Sequence, residues 1–467
     1  MTLTEPPAPD VLRRAGLPAE DAGPWLAAAP AASGDFARDR DAFGQFWRQG
    51  DALRDRLPPK PRRGAAEAAA ADLILRRGRA ARECFLAAHA GGIYRALTAD
   101  LSSFVRVERL VFDAARLVPG LAPSEAAVSR ENGLAQRDKD GVEIDQGILL
   151  ARILADPAAG MHLCHAMLLP RPEALERLPE FAAAGTVDLG AATATRTGKA
   201  ATVVMRNPRF LNAEDETTLD VQETAVDLAV LDRASEIAVL HGGEVAHPKW
   251  RGRRVLSSGI NLTHLYHGKV SYLWYIRRDM GLVNKLYRGV ASPAADPDEM
   301  FGGTVEKPWI AAVDGFAIGG GCQLLLVMDY VLAASDAYLT LPARKEGIIP
   351  GAANLRLGRF TGGRIARQAI LYGRRLDCDS DAGRLVCDEI APADAMDAAL
   401  AGVVENFTSS GVVSAAGNRR ALRLGEEPLD LFRRYMAVYA REQASCHFSP
   451  ALIANLERHW NAQQRRA

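Results

Sequence analysis

The chain has 467 residues, and its 57 basic and 57 acidic side chains give a formal net charge of zero. A chain of this length is expected to form two or three structural units, and without a long block of one charge sign it is not expected to bind nucleic acid or an anionic membrane. The amino-terminal residues lack the basic and apolar regions of a signal peptide, and no apolar run reaches the ~20 residues that a membrane helix needs, so we expect a cytoplasmic protein.

The amino-terminal third of the chain has the composition of a helical domain. Residues 1–60 are rich in alanine, proline and charged residues, which is typical of short helices and loops. Over residues 63–117, apolar positions recur with the spacing of amphipathic helices, and similar patterns cover residues 146–154 and those that follow Met161. We therefore predict a helical N-terminal domain over residues 1–184.

From residue 185 to the end, the pattern changes to strands that alternate with helices. The predicted strands comprise residues 187–189, 200–205, 237–240, 254–256, 309–313, 330–334 and 338–341. Residues 214–234 are predicted to be helical, and the pattern is helical again from Arg364 almost to the end. This alternation predicts an α/β core with a largely parallel sheet, followed by C-terminal helices.

The stretch over residues 308–330 combines a strand, a glycine turn and a helix. The apolar run at 309–313 ends at Asp314-Gly315, and Gly319, Gly320 and Gly321 precede a helix-compatible run. Glycines let the backbone come close to a ligand, and the first N–H groups of a helix have no partner within it. Taken alone, the pattern is equally compatible with a tight turn that binds nothing.

Four separated motifs, of which this turn is one, resemble those of the enoyl-CoA hydratase (crotonase) superfamily. They occupy residues 205–213, 257–262 (Ser-Ser-Gly-Ile-Asn-Leu), 317–323 (with Gly-Gly-Gly-Cys-Gln at its end) and 347–353 (with Ile-Ile-Pro-Gly). Each motif is weak alone, but their order and separations match the superfamily over residues 186–375. The resemblance implies a ββα-spiral core, CoA-thioester substrates and a homo-oligomer, either a trimer or a hexamer.

The resemblance also implies an oxyanion hole made by the backbone N–H groups of Ile260 and Gly320. Two preorganised N–H groups suit a thioester enolate, because its negative charge collects on oxygen. Residues of the same loop, Ser258, Gly259 and Asn261, are then expected to contact the substrate. Arg209 is a candidate for a CoA phosphate, although an exposed loop arginine without a ligand is an equal alternative.

Two departures from the hydratase pattern change the expected reaction. A hydratase uses two glutamates to handle water, and the corresponding positions here hold Gln323 and Ala343. Neither side chain can exchange a proton near neutral pH, so the hydration apparatus is missing.

Within the superfamily, residues 241–248 and 272–278 also resemble the arylacetyl-CoA dioxygenases of glycopeptide-antibiotic biosynthesis, as do the long helical extension and the Gly-Gly-Gly-Cys-Gln turn. That resemblance implies that O2 is inserted into a substrate such as 3,5-dihydroxyphenylacetyl-CoA without metal or flavin, and that an aryl glyoxylate and free CoA are released.

The same resemblance assigns roles to further side chains. Partners for substrate hydroxyl groups would be Glu214, His247 and Arg278, and Gln323 could bond the substrate or a nascent peroxide. A dry oxygen pocket would be lined by Leu262, Ile348 and Ile349. Ordinary roles are the alternatives: a helix-start carboxylate, a loop histidine, a surface ion pair and core packing.

Other functions stay open at this point. A non-haem iron oxygenase needs two histidines and a carboxylate on one face, and the histidines at 162, 165, 241, 247, 264 and 267 form no recognised triad. The six cysteines are scattered without a CxxC pair, which predicts reduced thiols rather than disulfides or a zinc site. A crotonase-fold aryl-CoA hydrolase or isomerase and a non-catalytic scaffold are the remaining alternatives.

Overall fold

Nine α-helices precede the first strand in the computed structural model, which describes residues 8–301, 303–410 and 413–466. They are α1 (Ala8–Arg14), α2 (Ala19–Ala27), α3 (Phe36–Arg54), α4 (Ala65–Leu97), α5 (Val107–Leu117), α6 (Glu125–Asn132), α7 (Ile144–Ala155), α8 (Pro157–Leu168) and α9 (Pro172–Ala184). Aromatic side chains hold the first helices together, because Trp25 stacks on Phe46 with ring centroids 5.1 Å apart and Trp47 meets Phe85 edge-on.

Twelve strands follow in the described part of the chain. They are β1 (Thr186–Asp188), β2 (Ala192–Thr197), β3 (Ala200–Met205), β4 (Ile237–Gly242), β5 (Val290–Ala291), β6 (Thr304–Val305), β7 (Trp309–Val313), β8 (Phe316–Ile318), β9 (Tyr330–Ala334), β10 (Tyr338–Thr340), β11 (Leu376–Asp377) and β12 (Glu389–Ala391). Seven of them form a sheet in the order β1-β2-β3-β4-β7-β9-β12. The pairs β1–β2 and β2–β3 are antiparallel, whereas β3, β4, β7, β9 and β12 run parallel. All five residues of β7 are buried, as expected for a central parallel strand covered on both faces.

A smaller sheet, in the order β11-β10-β8, carries the glycine turn. Strands β8 and β10 are parallel, with Ile318 paired to Thr340. The segments that follow both strands therefore emerge at the same edge of this sheet.

Eleven further α-helices lie among and after the strands of the described chain. They are α10 (Leu219–Leu231), α11 (Leu262–Tyr266), α12 (Tyr272–Arg277), α13 (Asn284–Arg288), α14 (Gly320–Leu325), α15 (Ala343–Glu346), α16 (Ala353–Arg367), α17 (Met396–Thr408), α18 (Val413–Glu426), α19 (Leu429–His447) and α20 (Pro450–Trp460). A π-helical turn, Arg278–Val283, joins α12 to α13.

Helix α19 packs tightly against α7. A methyl group on Gly147 of α7 would lie 2.6 Å from Ala444 Cβ of α19. Helix α12 also contacts α19, because its Tyr272 Oη donates a hydrogen bond of 2.8 Å to the Ala440 carbonyl. One continuous hydrophobic core includes residues of the early helices, the large sheet and α19. The predicted α/β core with helical N-terminal and C-terminal segments is confirmed, whereas the division into domains at residues 184 and 185 stays a prediction.

Several predicted element boundaries were wrong. Residues 254–256 are not a strand. The chain there makes only isolated bridges, from Arg254 to Glu244 and from Ser257 to Ala317. Helix α10 starts at Leu219 rather than at residue 214. Strand β2 was missed between the two predicted strands that it pairs with, and the short β11 and β12 interrupt the region that was predicted to be helical.

Two further features of the described chain concern its thiols and its apolar helices. All six cysteines are free. Among the described residues, none of the helices taken singly has the length and apolar composition of a membrane span. The segments Ile144–Ala155 and Pro157–Ala184 reach that length and composition only when they are joined, and the chain bends by 110° between them.

Candidate active site

One cavity contains the three predicted catalytic residues. Its lining includes Ile260, Gly320, Gln323, Ile348 and Ile349. These residues come from three motifs that are separated by up to 90 positions in the chain but lie together in the fold. Helix α12, the π-helical turn and α19 complete the wall with Trp274, Tyr275, Asp279 and Tyr439.

The two proposed oxyanion donors are adjacent because two loops are in direct contact. The N–H of Ile318 donates to the Ser257 carbonyl at 3.0 Å, which joins the end of β8 to the loop before Ile260. Gly259 adopts a left-handed conformation, with φ of 81°, and a methyl group there would lie 2.8 Å from the Ile318 oxygen and 3.0 Å from the Gly320 nitrogen. Only glycine fits this contact.

The N–H groups of Ile260 and Gly320 donate to no other protein group in the described chain. On either side of Ile260, the Gly259 carbonyl accepts from the N–H of Glu214, and the N–H of Asn261 donates to the Glu214 carbonyl, both at 2.8 Å. These bonds fix the Ile260 peptide. Gly320 is the first residue of α14, where an N–H has no partner within the helix. Both donors are therefore available to a ligand oxygen.

Arg278 is a buried cation held behind the glycine turn. Its Nη2 donates to Glu214 Oε1 at 3.0 Å and to the Gly320 carbonyl at 2.9 Å, and its Nε donates to Glu214 Oε2. Its Nη1 donates to Gln323 Oε1 at 2.8 Å. Four of the five guanidinium N–H groups are thus used by protein groups of the described chain, which leaves one on Nη1 for a ligand.

The charge on Arg278 is maintained by its carboxylate partner. Burial disfavours the charged form, but the attraction and hydrogen bond of Glu214, together with the nearby Asp279, raise the pKa of Arg278. Ser257 Oγ also donates to Glu214 Oε1, at 3.3 Å. Both oxygens of Glu214 are therefore occupied, and Glu214 is absent from the cavity wall. It positions Arg278, and neither residue is the helix-start carboxylate or the surface ion pair considered as alternatives.

The two positions at which a hydratase carries glutamate both face the cavity. Gln323 is 8% exposed and Ala343 is 5% exposed, and both line the wall. The Gln323 amide is oriented by Arg278, so its Oε1 is an acceptor in use and its NH2 group is the end that can donate to a ligand.

A groove that adjoins the cavity contains five further predicted site residues. It is lined by Arg209, His247, Ser258, Asn261 and Leu262. The Arg209 guanidinium lies over the Phe210 ring, 4.9 Å from its centroid, and is exposed. With Lys249 and Arg465 also in its wall, the groove is basic, which suits the phosphates of a CoA-sized ligand.

Three predicted site residues are placed differently from the roles that the sequence suggested. His247 is exposed in the groove, where its Nδ1 accepts from the N–H of Lys249 at 3.2 Å, so it lies away from the cavity. Leu262 lies in the groove rather than with Ile348 and Ile349. Asn261 caps α11 by accepting from the His264 N–H at 3.1 Å, and its Nδ2 donates to Asp215 at 2.8 Å. These contacts give Asn261 a structural role in the loop.

Sequence reasoning missed the cavity residues Glu346, Asp279 and Tyr439. Glu346 lies three residues after Ala343, and its only sequence signal was a charge directly before Gly347. Tyr439 comes from α19, and nothing in the local pattern linked it to Arg278. Among residues 8–301, 303–410 and 413–466, no group of three or more His, Cys, Asp and Glu side chains is arranged to hold a metal ion.

Comparisons with known proteins show which sequences and structures this chain is similar to. The family model described as enoyl-CoA hydratase/isomerase matches residues 301–443. The (3,5-dihydroxyphenyl)acetyl-CoA 1,2-dioxygenase of Amycolatopsis orientalis is 46% identical over 407 residues, which cover 87% of this chain and 92% of that protein. The short-chain-enoyl-CoA hydratase of Clostridium acetobutylicum is 28% identical over 49% of this chain and 79% of its own length. An enoyl-CoA hydratase structure from Mycobacterium avium subsp. paratuberculosis K-10 superposes on 58% of this chain and 98% of its own, with a TM-score of 0.48 and 20% identity.

Proposed function

The chain belongs to the enoyl-CoA hydratase/isomerase (crotonase) superfamily, and we propose that it converts (3,5-dihydroxyphenyl)acetyl-CoA and O2 into the aryl glyoxylate and free CoA. The observation that carries this proposal is the 46% identity, over 87% of the chain, to a dioxygenase of that substrate. The cavity supports it, because it keeps two free oxyanion donors and holds Gln323 and Ala343 where a hydratase needs carboxylates.

The first step is formation of an enolate. The α-carbon between an electron-rich ring and a thioester is acidic, and removal of its proton moves negative charge onto the thioester oxygen. The N–H groups of Ile260 and Gly320 bind that oxygen, and each such donor typically contributes ~2.7–4 kcal/mol to lowering the barrier. The basic groove that includes Arg209 holds the CoA portion, and the aryl ring lies in the cavity beside Arg278.

The second step is reaction of the enolate with oxygen. The delocalised anion passes one electron to O2, and recombination of the two radicals gives an α-peroxide. The terminal peroxide oxygen attacks the thioester carbonyl, and the CoA thiolate leaves with a proton. Loss of the second α-hydrogen breaks the O–O bond and gives the α-keto acid, so both atoms of O2 enter the product. The protein supplies orientation, anion stabilisation and a dry site next to Ile348 and Ile349.

In this scheme the protein needs neither metal nor flavin, because the substrate anion itself reduces O2. Exhaustive chelation followed by an oxygen-uptake assay tests that part of the proposal. Unchanged turnover of the metal-depleted protein supports it, and loss of turnover that iron restores would identify a metal-dependent oxygenase instead.

The test of the overall function measures oxygen consumption and CoA release in the same reaction. With (3,5-dihydroxyphenyl)acetyl-CoA we expect one O2 consumed for each CoA released. CoA release without oxygen uptake would identify a hydrolase, and hydration of crotonyl-CoA at a comparable rate would identify a hydratase. Absence of binding and of turnover with any arylacetyl-CoA would favour a scaffold.

We also propose that the protein works in the cytoplasm as a homo-oligomer, a trimer or a hexamer, in glycopeptide-antibiotic biosynthesis, where an aryl glyoxylate is the keto-acid precursor of dihydroxyphenylglycine. Leu371 and Tyr372 are consecutive apolar side chains that are 65% and 76% exposed, and an interface between copies of the chain would cover them. Light scattering after gel filtration tests the oligomeric state, and a monomer at micromolar concentration would contradict it.

A further inference from the structure

A buried carboxylate lies at the rim of the oxyanion hole and has no assigned role. Glu346 lines the cavity together with Ile260, Gly319 and Gly320, and it also lines the groove that holds Arg209. A methyl group placed on Gly319 would lie 4.0 Å from Glu346 Oε1 and 3.7 Å from the Gly259 Cα. The carboxylate is therefore beside both peptides of the oxyanion hole, at the junction of cavity and groove, where the reacting end of a thioester would lie.

The topology of the small sheet brings Glu346 to this point. Strand β8 leads into the glycine turn and its parallel neighbour β10 leads into α15, whose last residue is Glu346. The N–H of Gly319 donates to the Thr340 carbonyl at 2.8 Å, which ties the two exits together. Gly347, with φ of 82°, ends α15 directly after Glu346. The sequence thus fixes the carboxylate on a one-turn helix next to the oxyanion donors.

Glu346 differs from the other carboxylates near the cavity because it has no partner. Its side chain is 5% exposed, and no hydrogen bond or ion pair to it is found in the described chain. Glu214 is bound by Arg278 and Ser257. Asp279 lies near the guanidinium groups of Arg278 and Arg356 and accepts from Tyr439. A buried carboxylate without a partner lowers the stability of the folded protein. Carboxylates that are buried in this way are often catalytic residues.

We propose that Glu346 is the general base that removes the α-proton of the bound thioester, an inference that rests on the proposed function. The proton moves to the carboxylate, and the electron pair of the C–H bond becomes the double bond of the enolate, whose oxygen is held by the N–H groups of Ile260 and Gly320. The departing CoA thiolate takes up one proton in each turnover. This returns Glu346 to its ionised form, so that it can accept the second α-hydrogen when the O–O bond breaks.

The electrostatic surroundings suit this role. Burial raises the pKa of Glu346 to about 7, so the group is a stronger base than an ordinary glutamate and is still largely ionised at mildly alkaline pH. Several titratable or charged side chains face the same spaces: Tyr275, Arg278, Asp279 and Tyr439 in the cavity, and Arg209, His247, Lys249 and Arg465 in the groove. Burial is the one resolved cause of the raised pKa, so none of these groups dominates it.

Exchange of the α-hydrogen without oxygen tests the base separately from the oxygenation. The full-length protein is incubated with (3,5-dihydroxyphenyl)acetyl-CoA in deuterated buffer under anaerobic conditions, and deuterium incorporation at the α-carbon is followed by mass spectrometry. The Glu346→Gln variant keeps the shape of the side chain and should exchange at least about a hundredfold more slowly than the wild type. The exchange rate of the wild type should rise as the pH passes through about 7, the pKa of Glu346. The residual exchange rate of the variant should not show this rise.

Two controls make the outcome decisive. The exposed Glu20→Gln variant should exchange like the wild type, and an unchanged affinity of Glu346→Gln for the thioester would show that its site is folded. If Glu346→Gln exchanges at the wild-type rate, or if Asp279→Asn alone loses exchange, Glu346 is not the base. If the wild type exchanges the α-hydrogen and Glu346→Gln does not, but the wild type consumes no oxygen, the proposed dioxygenase function fails while the role of Glu346 as the base is supported. If the wild type consumes oxygen but Glu346→Gln exchanges the α-hydrogen at the full rate, the dioxygenase function is supported and Glu346 is not the base.

Discussion

Replacement of Glu346 by glutamine should change the pH dependence of protein stability. Burial raises the pKa of Glu346 from its ordinary value of 4.5 to about 7, so between these values the folded state binds more protons than the unfolded state. The free energy of unfolding of the wild type therefore falls as the pH rises through this window. Each pKa unit is worth about 1.4 kcal/mol, so the ionised carboxylate destabilises the folded wild type by about 3 kcal/mol above pH 7.

Glutamine does not ionise, so the variant escapes this loss. Relative to the wild type, Glu346→Gln should gain about 2–3 kcal/mol in free energy of unfolding between pH 5 and pH 8. Urea unfolding followed by tryptophan fluorescence measures the free energy at each pH, and the comparison uses the difference between the two proteins, which cancels other titrating groups.

The exposed Glu20→Gln variant is the matched control, and its difference from the wild type should stay nearly constant over the same range. A constant difference for Glu346→Gln as well would refute the reasoning, because it would mean that the carboxylate has an ordinary pKa or finds a partner in solution.

Three further substitutions test the site around the oxyanion hole. Gly320→Ala would place a methyl group 2.6 Å from Glu214 Oε1 and 2.9 Å from Arg278 Nη2 and should displace the Gly320 peptide, so we expect oxygen uptake to fall about 10²-fold; wild-type turnover would mean that the position of this peptide does not matter for the reaction. Glu214→Ala removes the carboxylate that forms an ion pair with the buried Arg278 and should lower the free energy of unfolding by about 3–5 kcal/mol in urea titrations, whereas a change below 1 kcal/mol would contradict the role of Glu214 in holding Arg278. Gln323→Glu adds a buried carboxylate beside the cavity residue Asp279 and should reduce oxygen uptake, and unchanged uptake would remove Gln323 from the site.

The overall architecture could be predicted because its signals are local. Periodicity predicted helices over residues 63–117, 146–154 and after Met161, although it missed α6, and short apolar runs identified β3, β4, β7, β9 and β10. Two of the missed strands, β11 and β12, have two and three residues, which is too short for a hydrophobic period. Strand β2 has six residues, but its sequence Ala-Thr-Ala-Thr-Arg-Thr contains no large apolar side chain. Val255 and Leu256 are apolar because their loop is buried, and this burial was mistaken for a strand.

The site was predictable in its backbone but less so in its side chains. The glycine turn and the Ile260 loop carry recognisable motifs, and the structure brings their N–H groups together. The roles of Glu214 and His247 depend on which neighbours reach them, and that information is not local. Glu214 proved to be an internal partner of Arg278, and the free carboxylate of the cavity, Glu346, carried no motif at all. Distances across the fold decided both assignments.

The most direct test of the central claim is a single turnover experiment with isotopically labelled oxygen. The protein is incubated with (3,5-dihydroxyphenyl)acetyl-CoA under labelled O2 in unlabelled water, and the acid that is released is analysed by mass spectrometry. The proposed reaction places both oxygen atoms of O2 in the aryl glyoxylate. An acid that carries no label, released together with CoA, would contradict the dioxygenase and identify hydrolysis.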